Sequence, residues 1–276
     1  MAVSLDSTVL LHDDVAIPRL GFGVFKVQEG DDVEAAIATA LDEGYRHIDT
    51  ATIYRNEDGV GRAIAASDMP RSDIFVTTKL WNSDQGYDSA LTAVDVSLAK
   101  LGLDYVDLYL VHWPKPEHTR DTWRAMEEIK ASGKARAIGV SNFLPEHLDQ
   151  LREHAVVDPS INQIEFHPHL QSPNLVNYCD ENGIVVQAWS PLKAGQILDD
   201  AQLTTIAESH GVTVAQVVLR WLLQRGIVAI PKSVTPSRIA SNADLYGFEL
   251  SDAEMATINA MDRNDRVGPD PATFDF

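Results

Sequence analysis

The sequence predicts an α/β fold, a (β/α)8 TIM barrel formed as a single domain over residues 1–276, with an N-terminal β-hairpin. Three observations carry this expectation. Short apolar strands alternate without a break with amphipathic helical segments, eight such strands can be counted, and polar residues gather just past their C-terminal ends. Alternation alone fits a doubly wound sheet equally well; eight strands favour the closed barrel. Gly21-Phe22-Gly23-Val24-Phe25-Lys26 has lysine where a dinucleotide fingerprint needs its third glycine, which argues against a leading βαβ nucleotide-binding unit.

The elements follow in order. Val9 to Ile17 is expected to form a hairpin with His12-Asp13-Asp14 at its tip. The eight strands are expected at 20–23, 45–48, 74–79, 106–111, 137–140, 161–165, 185–188 and 227–230. Asp31 to Asp42 carries Val33, Ala36, Ile37, Ala40 and Leu41 at helical spacing and stops before Gly44. The segment from Arg55 to Gly61 is expected to be a loop feeding a helix. Further helices are predicted at 85–101, 120–131, 145–154 and after Ser172-Pro173, the last two with proline in the first turn. Two segments, 200–210 and 213–224, precede strand eight, so one is an extra helix; another, 251–261, opens with the capping-box pattern Ser251-x-x-Glu254. The tail from Arg266 to Phe276 is expected to be irregular.

Composition limits the function. A formal net charge of -19 and a pI near 4.7 argue against nucleic acid as a partner, because phosphate backbones need basic surface. Cys179 is the only cysteine, so no internal disulfide and no cysteine-based zinc site can form. The N-terminus has no signal-peptide pattern and no apolar run reaches membrane-spanning length, so a cytoplasmic protein without membrane contact is expected.

The strand ends supply the chemistry. Asp49, Lys79, His112, Ser141-Asn142, Gln163 with Glu165, Ser190 and Lys232 fall where a barrel gathers its active-site residues. A lysine ending the apolar strand Phe75-Val-Thr-Thr-Lys79 needs a counter-charge, and Asp49 on the preceding strand can provide it. Tyr54 can approach the same ammonium, which would lower its phenol pKa and make it an acid–base group. His112 supplies an imidazole beside Trp113. Taken singly, each has a commoner structural use; the joint placement points to a site. A rival constellation, Glu165-Phe-His167-Pro-His169, alternates polar and apolar residues and with His112 would make a metal-dependent barrel hydrolase, but Pro168 interrupts the strand and the pattern lacks the acidic ligands such barrels normally place on other strands.

Four segments carry a resemblance: Gly44-Tyr-Arg-His-Ile-Asp-Thr-Ala, Leu108-Tyr-Leu-Val-His-Trp-Pro, Gly139-Val-Ser-Asn-Phe and Ile230-Pro-Lys-Ser. On them the chain resembles an aldo-keto reductase of the bacterial 2,5-diketo-D-gluconate reductase-like branch. The resemblance implies a catalytic tetrad of Asp49, Tyr54, Lys79 and His112 and reduction of aldehydes or ketones with NADPH, the protein supplying position and electrostatics. It implies that Ser141, Asn142 and Gln163 hold the nicotinamide carboxamide and that Trp189 stacks on the ring. Ser190 and Leu192 would line the pyrophosphate path. Lys232, Ser233 and Arg238 would hold the 2′-phosphate of NADP(H), with Asn242 near the adenine. The residues agree at that cluster, since two cations flank a helix start. No metal is implied.

Loop positions place Val24, Trp81 and Trp113, with Phe274 or Phe276, in the substrate wall, and the short segment after Trp113 favours small aldehydes, dicarbonyls or keto-sugars. Lys115 and His118 can attract a carboxylate or serve as plain surface. A barrel that binds NADP as a non-enzymatic sensor or regulatory subunit is the non-catalytic alternative. Family analogy implies a monomer.

Overall fold

The structure is a computed structural model and describes residues 4–274. Strands β1 (Thr8–Leu10) and β2 (Ala16–Pro18) pair antiparallel as the expected hairpin. Eight parallel strands follow: β3 (Phe22–Gly23), β4 (His47–Asp49), β5 (Phe75–Leu80), β6 (Val106–Val111), β7 (Ala135–Ser141), β8 (Ile161–Glu165), β9 (Val185–Trp189) and β10 (Val228–Ala229), each beside its neighbour in the chain. A parallel bridge between Leu20 and Ala229 closes the barrel, and the Gly21 N–H donates to the Ala229 carbonyl at 2.8 Å. Closure needs glycine there: a Cβ on Gly21 would lie 2.5 Å from His47 Nδ1 and 2.9 Å from Ile230 Cγ2.

The hairpin plugs the N-terminal end of the barrel. Its Leu11, Val15 and Ile17 pack with inward residues of the strands, among them Phe75, Leu108, Leu110, Ile161 and Val228. A second, larger core lies between the strands and an outer layer of helices. Those helices are α1 (Asp31–Asp42), α2 (Glu57–Ala66), α3 (Tyr87–Leu101), α4 (Thr119–Ala131), α5 (Pro145–Arg152), α6 (Pro173–Glu181), α7 (Ala201–His210), α8 (Val214–Gln224), α9 (Pro236–Ala243) and α10 (Asp252–Asn259). The extra helices before the last strand and near the C-terminus are α7 and α10, and the latter has the expected capping box between Ser251 and Glu254. Among the described residues no helix is long and apolar enough to cross a membrane.

One expectation needs correction. The stretch Glu57 to Gly61 is not a loop but the first half of α2. Gly59 and Gly61 weaken a helix by propensity, yet both are required by packing. A Cβ on Gly59 would sit 2.4 Å from Val33 Cγ1, and one on Gly61 would sit 2.3 Å from the Leu101 carbonyl oxygen. Close approach to α1 and α3 outweighs propensity.

Inside the barrel, His47 is fully buried, with Nε2 3.0 Å from Thr77 Oγ1. Burial, helped by the Lys79 ammonium, pushes its pKa from 6.5 to about 3. Between those values the unfolded chain binds a proton that the native protein refuses, so His47 destabilises the fold progressively as pH falls from 6.5 towards 3. Its share of the slope is about 1.4 kcal/mol per pH unit. Urea unfolding at a series of pH values should show this loss on the acid side, and His47→Gln should flatten the profile by one proton's worth while leaving the neutral-pH side level.

Candidate active site

The C-terminal rim of β4 to β6 collects the four residues of interest. Asp49 ends β4, and Lys79 is the last but one residue of β5. Their registers place them on adjacent strands, and Lys79 Nζ donates to Asp49 Oδ1 at 2.6 Å and to the Thr50 carbonyl at 2.8 Å. The second Asp49 oxygen accepts from Gln163 Nε2 at 2.7 Å. Lys79 is 0% and Asp49 2% exposed. Burial pushes the carboxyl up and the ammonium down, and their mutual contact opposes both shifts.

Tyr54 reaches the same place from a loop. It ends a tight 3-10 turn, Thr52–Tyr54, and Arg55 then adopts a left-handed φ of 57° that turns the chain into α2. The loop is laced down. Thr50 Oγ1 donates to Asn56 Oδ1 at 2.8 Å, Asn56 Nδ2 donates to the carbonyls of Val24 and Val27, and Thr52 Oγ1 donates to the Lys79 carbonyl at 3.0 Å. Lys79 Nζ lies 5.0 Å from the Tyr54 ring centroid. His112 follows β6; its ring meets Tyr54 edge-on at 5.8 Å and Trp81 at 5.2 Å. Burial, then the Lys79 charge, holds His112 well below the usual histidine range, so it is a neutral imidazole.

The expectation that Lys79 lowers the Tyr54 pKa is not met. Burial, followed by repulsion from Asp49, holds the phenol well above its ordinary value. The ammonium is already committed to Asp49 and Thr50, so its charge is largely neutralised where the phenol feels it. Tyr54 therefore stays an O–H donor across the neutral range.

Neighbouring strand ends form a connected polar shelf. Ser141 Oγ donates to the Gln163 carbonyl at 2.8 Å. Asn142, at a left-handed φ of 65°, donates to the His112 carbonyl and accepts from Trp189 Nε1 at 2.8 Å. Gln163 joins Asp49 to Gln187 through Nε2, and its Oε1 has no hydrogen-bond partner among the described residues. Ser190 has φ 52°, and Leu192 packs against the main core. Around the rim, Lys232 and Arg238 are exposed and in no ion pair among the described residues, at the start of α9, whose buried face includes Asn242. The Ser233 hydroxyl accepts the Thr235 N–H at 3.1 Å.

The substrate-wall residues divide. Trp81 stands at the His112 ring, and Trp113 packs on Phe274 with ring centroids 4.5 Å apart. Phe276 lies outside the described residues. Val24 does not line the pocket: its N–H donates to the Asp49 carbonyl, extending the ladder one residue past β3, and its side chain is 0% exposed in the main core. The next residue, Phe25, is 53% exposed with its ring 4.9 Å from Tyr54. Sequence reasoning missed it, although an aromatic immediately past a strand end is a signal. Lys115 is 3.7 Å from Glu117, which takes up part of its charge. In the rival constellation, the Glu165 oxygens accept from His167 and from the N–H groups of Val267 and Gly268. His169 turns to Arg263 and Lys193, and among the described residues no cluster can hold a metal ion.

The sequence pattern of the Aldo/keto reductase family matches residues 19–263. The chain is 51% identical over 271 residues to glyoxal reductase of Bacillus subtilis, covering 98% of each. Its fold is similar to that of a Gox0644 mutant in complex with NADPH, with a TM-score of 0.93 and 42% identity over 98% of this chain and 99% of the other. It is also similar to Bombyx mori aldo-keto reductase in complex with NADP, with a TM-score of 0.89 and 38% identity over 97% and 96% of the two chains. A family match across most of the chain, on a closed eight-stranded barrel with these strand ends, places the protein in the aldo/keto reductase family.

Proposed function

We propose that the protein reduces small aldehydes, dicarbonyls or keto-sugars to alcohols with NADPH, Tyr54 acting as general acid. The observation that carries the proposal is the convergence of Asp49, Lys79, Tyr54 and His112 at one rim, with Lys79 2.6 Å from Asp49 and 5.0 Å from the Tyr54 ring. When bound, the nicotinamide supplies the hydride.

The chain's own residues do the rest. His112, neutral and packed against Trp81, orients the carbonyl oxygen by a hydrogen bond. Tyr54 gives its hydroxyl proton to that oxygen as negative charge develops, which a phenol held protonated can do because an alkoxide is a far stronger base. Lys79, its charge largely offset by Asp49, adds only a residual positive potential, and Asp49 fixes the lysine. The residues present fit the cofactor: among the described residues, Gln163 Oε1 is an open acceptor beside Ser141 and Asn142, suited to a carboxamide, and Lys232 and Arg238 are two cations in no ion pair at a helix start in an otherwise acidic chain, suited to the 2′-phosphate. The dicarbonyl reading is supported by the likeness to glyoxal reductase. By analogy with the family, we assign the active form as a monomer.

Following NADPH consumption against a panel of aldehydes, dicarbonyls and keto-sugars tests the proposal. Turnover of several small carbonyls is the expected result; cofactor binding without turnover of any would favour a sensor instead. Lys232→Ala and Arg238→Ala should each raise the KM for NADPH about tenfold, equivalent to about 1.4 kcal/mol, and leave that for NADH nearly unchanged. Equal responses with both cofactors would remove the 2′-phosphate assignment.

A further inference from the structure

Glu165, the last residue of β8, has no role in the proposed chemistry, yet its side chain is fully buried. Both of its oxygens are given to the C-terminal tail and its support. Oε1 accepts from the Val267 N–H at 2.6 Å and from His167 Nε2 at 3.0 Å, and Oε2 accepts from the Gly268 N–H at 3.0 Å. Burial pushes this carboxyl up, but the His167 ring and the two tail amides outweigh burial and hold it below the ordinary range. A charged carboxylate bridging two successive backbone N–H groups is a strong clasp.

What the clasp holds is a wall of Trp189. A Cβ on Gly268 would lie 2.3 Å from Trp189 Cη2, 3.2 Å from Cζ2 and 3.1 Å from Glu165 Oε2. The same edge of the indole is fixed further along by its Nε1 hydrogen bond to Asn142. The chain after Trp189 does not define that position well alone, because Ser190, Lys193 and Ala194 all take left-handed φ values of 49° to 52°, each a strained choice for a non-glycine residue. The tail braces this turn too, through the contact of the buried Lys193 side chain with the exposed Asp265.

We propose that Glu165 is a positioning residue that seats residues 267–268 against Trp189, so that the C-terminal tail forms part of the cofactor platform. This rests on the reading of Trp189 as the surface under the nicotinamide. The clasp then governs cofactor retention, and the glycine at 268 is required by the width of the indole.

NADPH titrations by tryptophan fluorescence, with melting temperatures, on the full chain test this with four variants. Trp189→Phe alone should raise the NADPH Kd several-fold; no change there would remove the platform reading itself, and the clasp's premise with it. Gly268→Ala should raise the Kd about fivefold, or about 1 kcal/mol. In the Trp189→Phe background, where Cη2 and Cζ2 are gone, the same change should be nearly silent. Glu165→Gln, which turns an amide N–H2 towards a backbone donor, should also raise the Kd about fivefold. If Trp189→Phe weakens binding but Gly268→Ala acts equally in both backgrounds or in neither, the clasp is overturned. A lower melting temperature for Glu165→Gln with unchanged Kd would likewise make Glu165 merely structural.

Discussion

Tyr54→Phe is expected to leave the fold and NADPH binding intact and to lower carbonyl reduction by about 10²- to 10⁴-fold, the usual contribution of a positioned general acid. The substitution removes one oxygen and keeps the ring, and the ring makes the visible contacts: 4.9 Å to Phe25, 5.8 Å to His112 and 5.0 Å to the Lys79 ammonium. The loss should therefore fall on kcat, with an unchanged melting temperature and NADPH Kd. The direction of the pKa shift adds a second readout. Since burial and Asp49 hold the phenol protonated, reduction by the native protein should show no loss attributable to Tyr54 as pH rises through neutrality. A Tyr54→Phe protein with near-normal turnover would sink the proton-donor assignment.

Much of this site was legible because a barrel converts sequence order into spatial order. Once β4, β5 and β6 are adjacent and parallel, the residues at their ends must share a rim, so Asp49 and Lys79 could be paired without coordinates. Tyr54 was different: its approach depends on the 3-10 turn and the hydrogen bonds of Thr50, Thr52 and Asn56, which follow from no periodicity. Its assignment rested on an assumed approach to Lys79 and on family resemblance, not on its own sequence neighbourhood. Val24 and Phe25 show a second limit. Which of two adjacent residues is exposed beside Tyr54 depends on where the ladder stops, and it stops one residue later than the strand pattern implied. The sign of the Tyr54 shift was missed for an energetic reason: a cation's effect on a neighbour depends on what else has already neutralised it. The α2 glycines were missed because their reason lies in α1 and α3, distant in sequence. The tail from Arg266, expected to be irregular, has no helix or strand through residue 274, but its attachment to Glu165 and Trp189 could not be read from composition.

Lys79→Met should be the most damaging change to both stability and activity, and a double-mutant cycle with Asp49 separates the two effects. Removing the ammonium strands a carboxylate that is 2% exposed and retains only Gln163 as a side-chain partner. Breaking a buried pair from one side costs about 3–5 kcal/mol, which for a chain of this size lowers the melting temperature by roughly 10 °C. Asp49→Leu should cost a similar amount, since it leaves the 0% exposed lysine without its counter-charge. The double change Asp49→Leu with Lys79→Met removes both buried charges at once and should recover much of that stability, because neither desolvation penalty remains. Activity should not recover, since no cation is left beside Tyr54 and His112. Thermal melting and NADPH-dependent turnover of the three proteins distinguish the outcomes. Restored melting with absent turnover means the pair is kept for chemistry at some cost to the fold. If the double variant instead melts as low as the sum of the single changes, the two charges act on stability independently, and the 2.6 Å contact contributes little to holding the rim together.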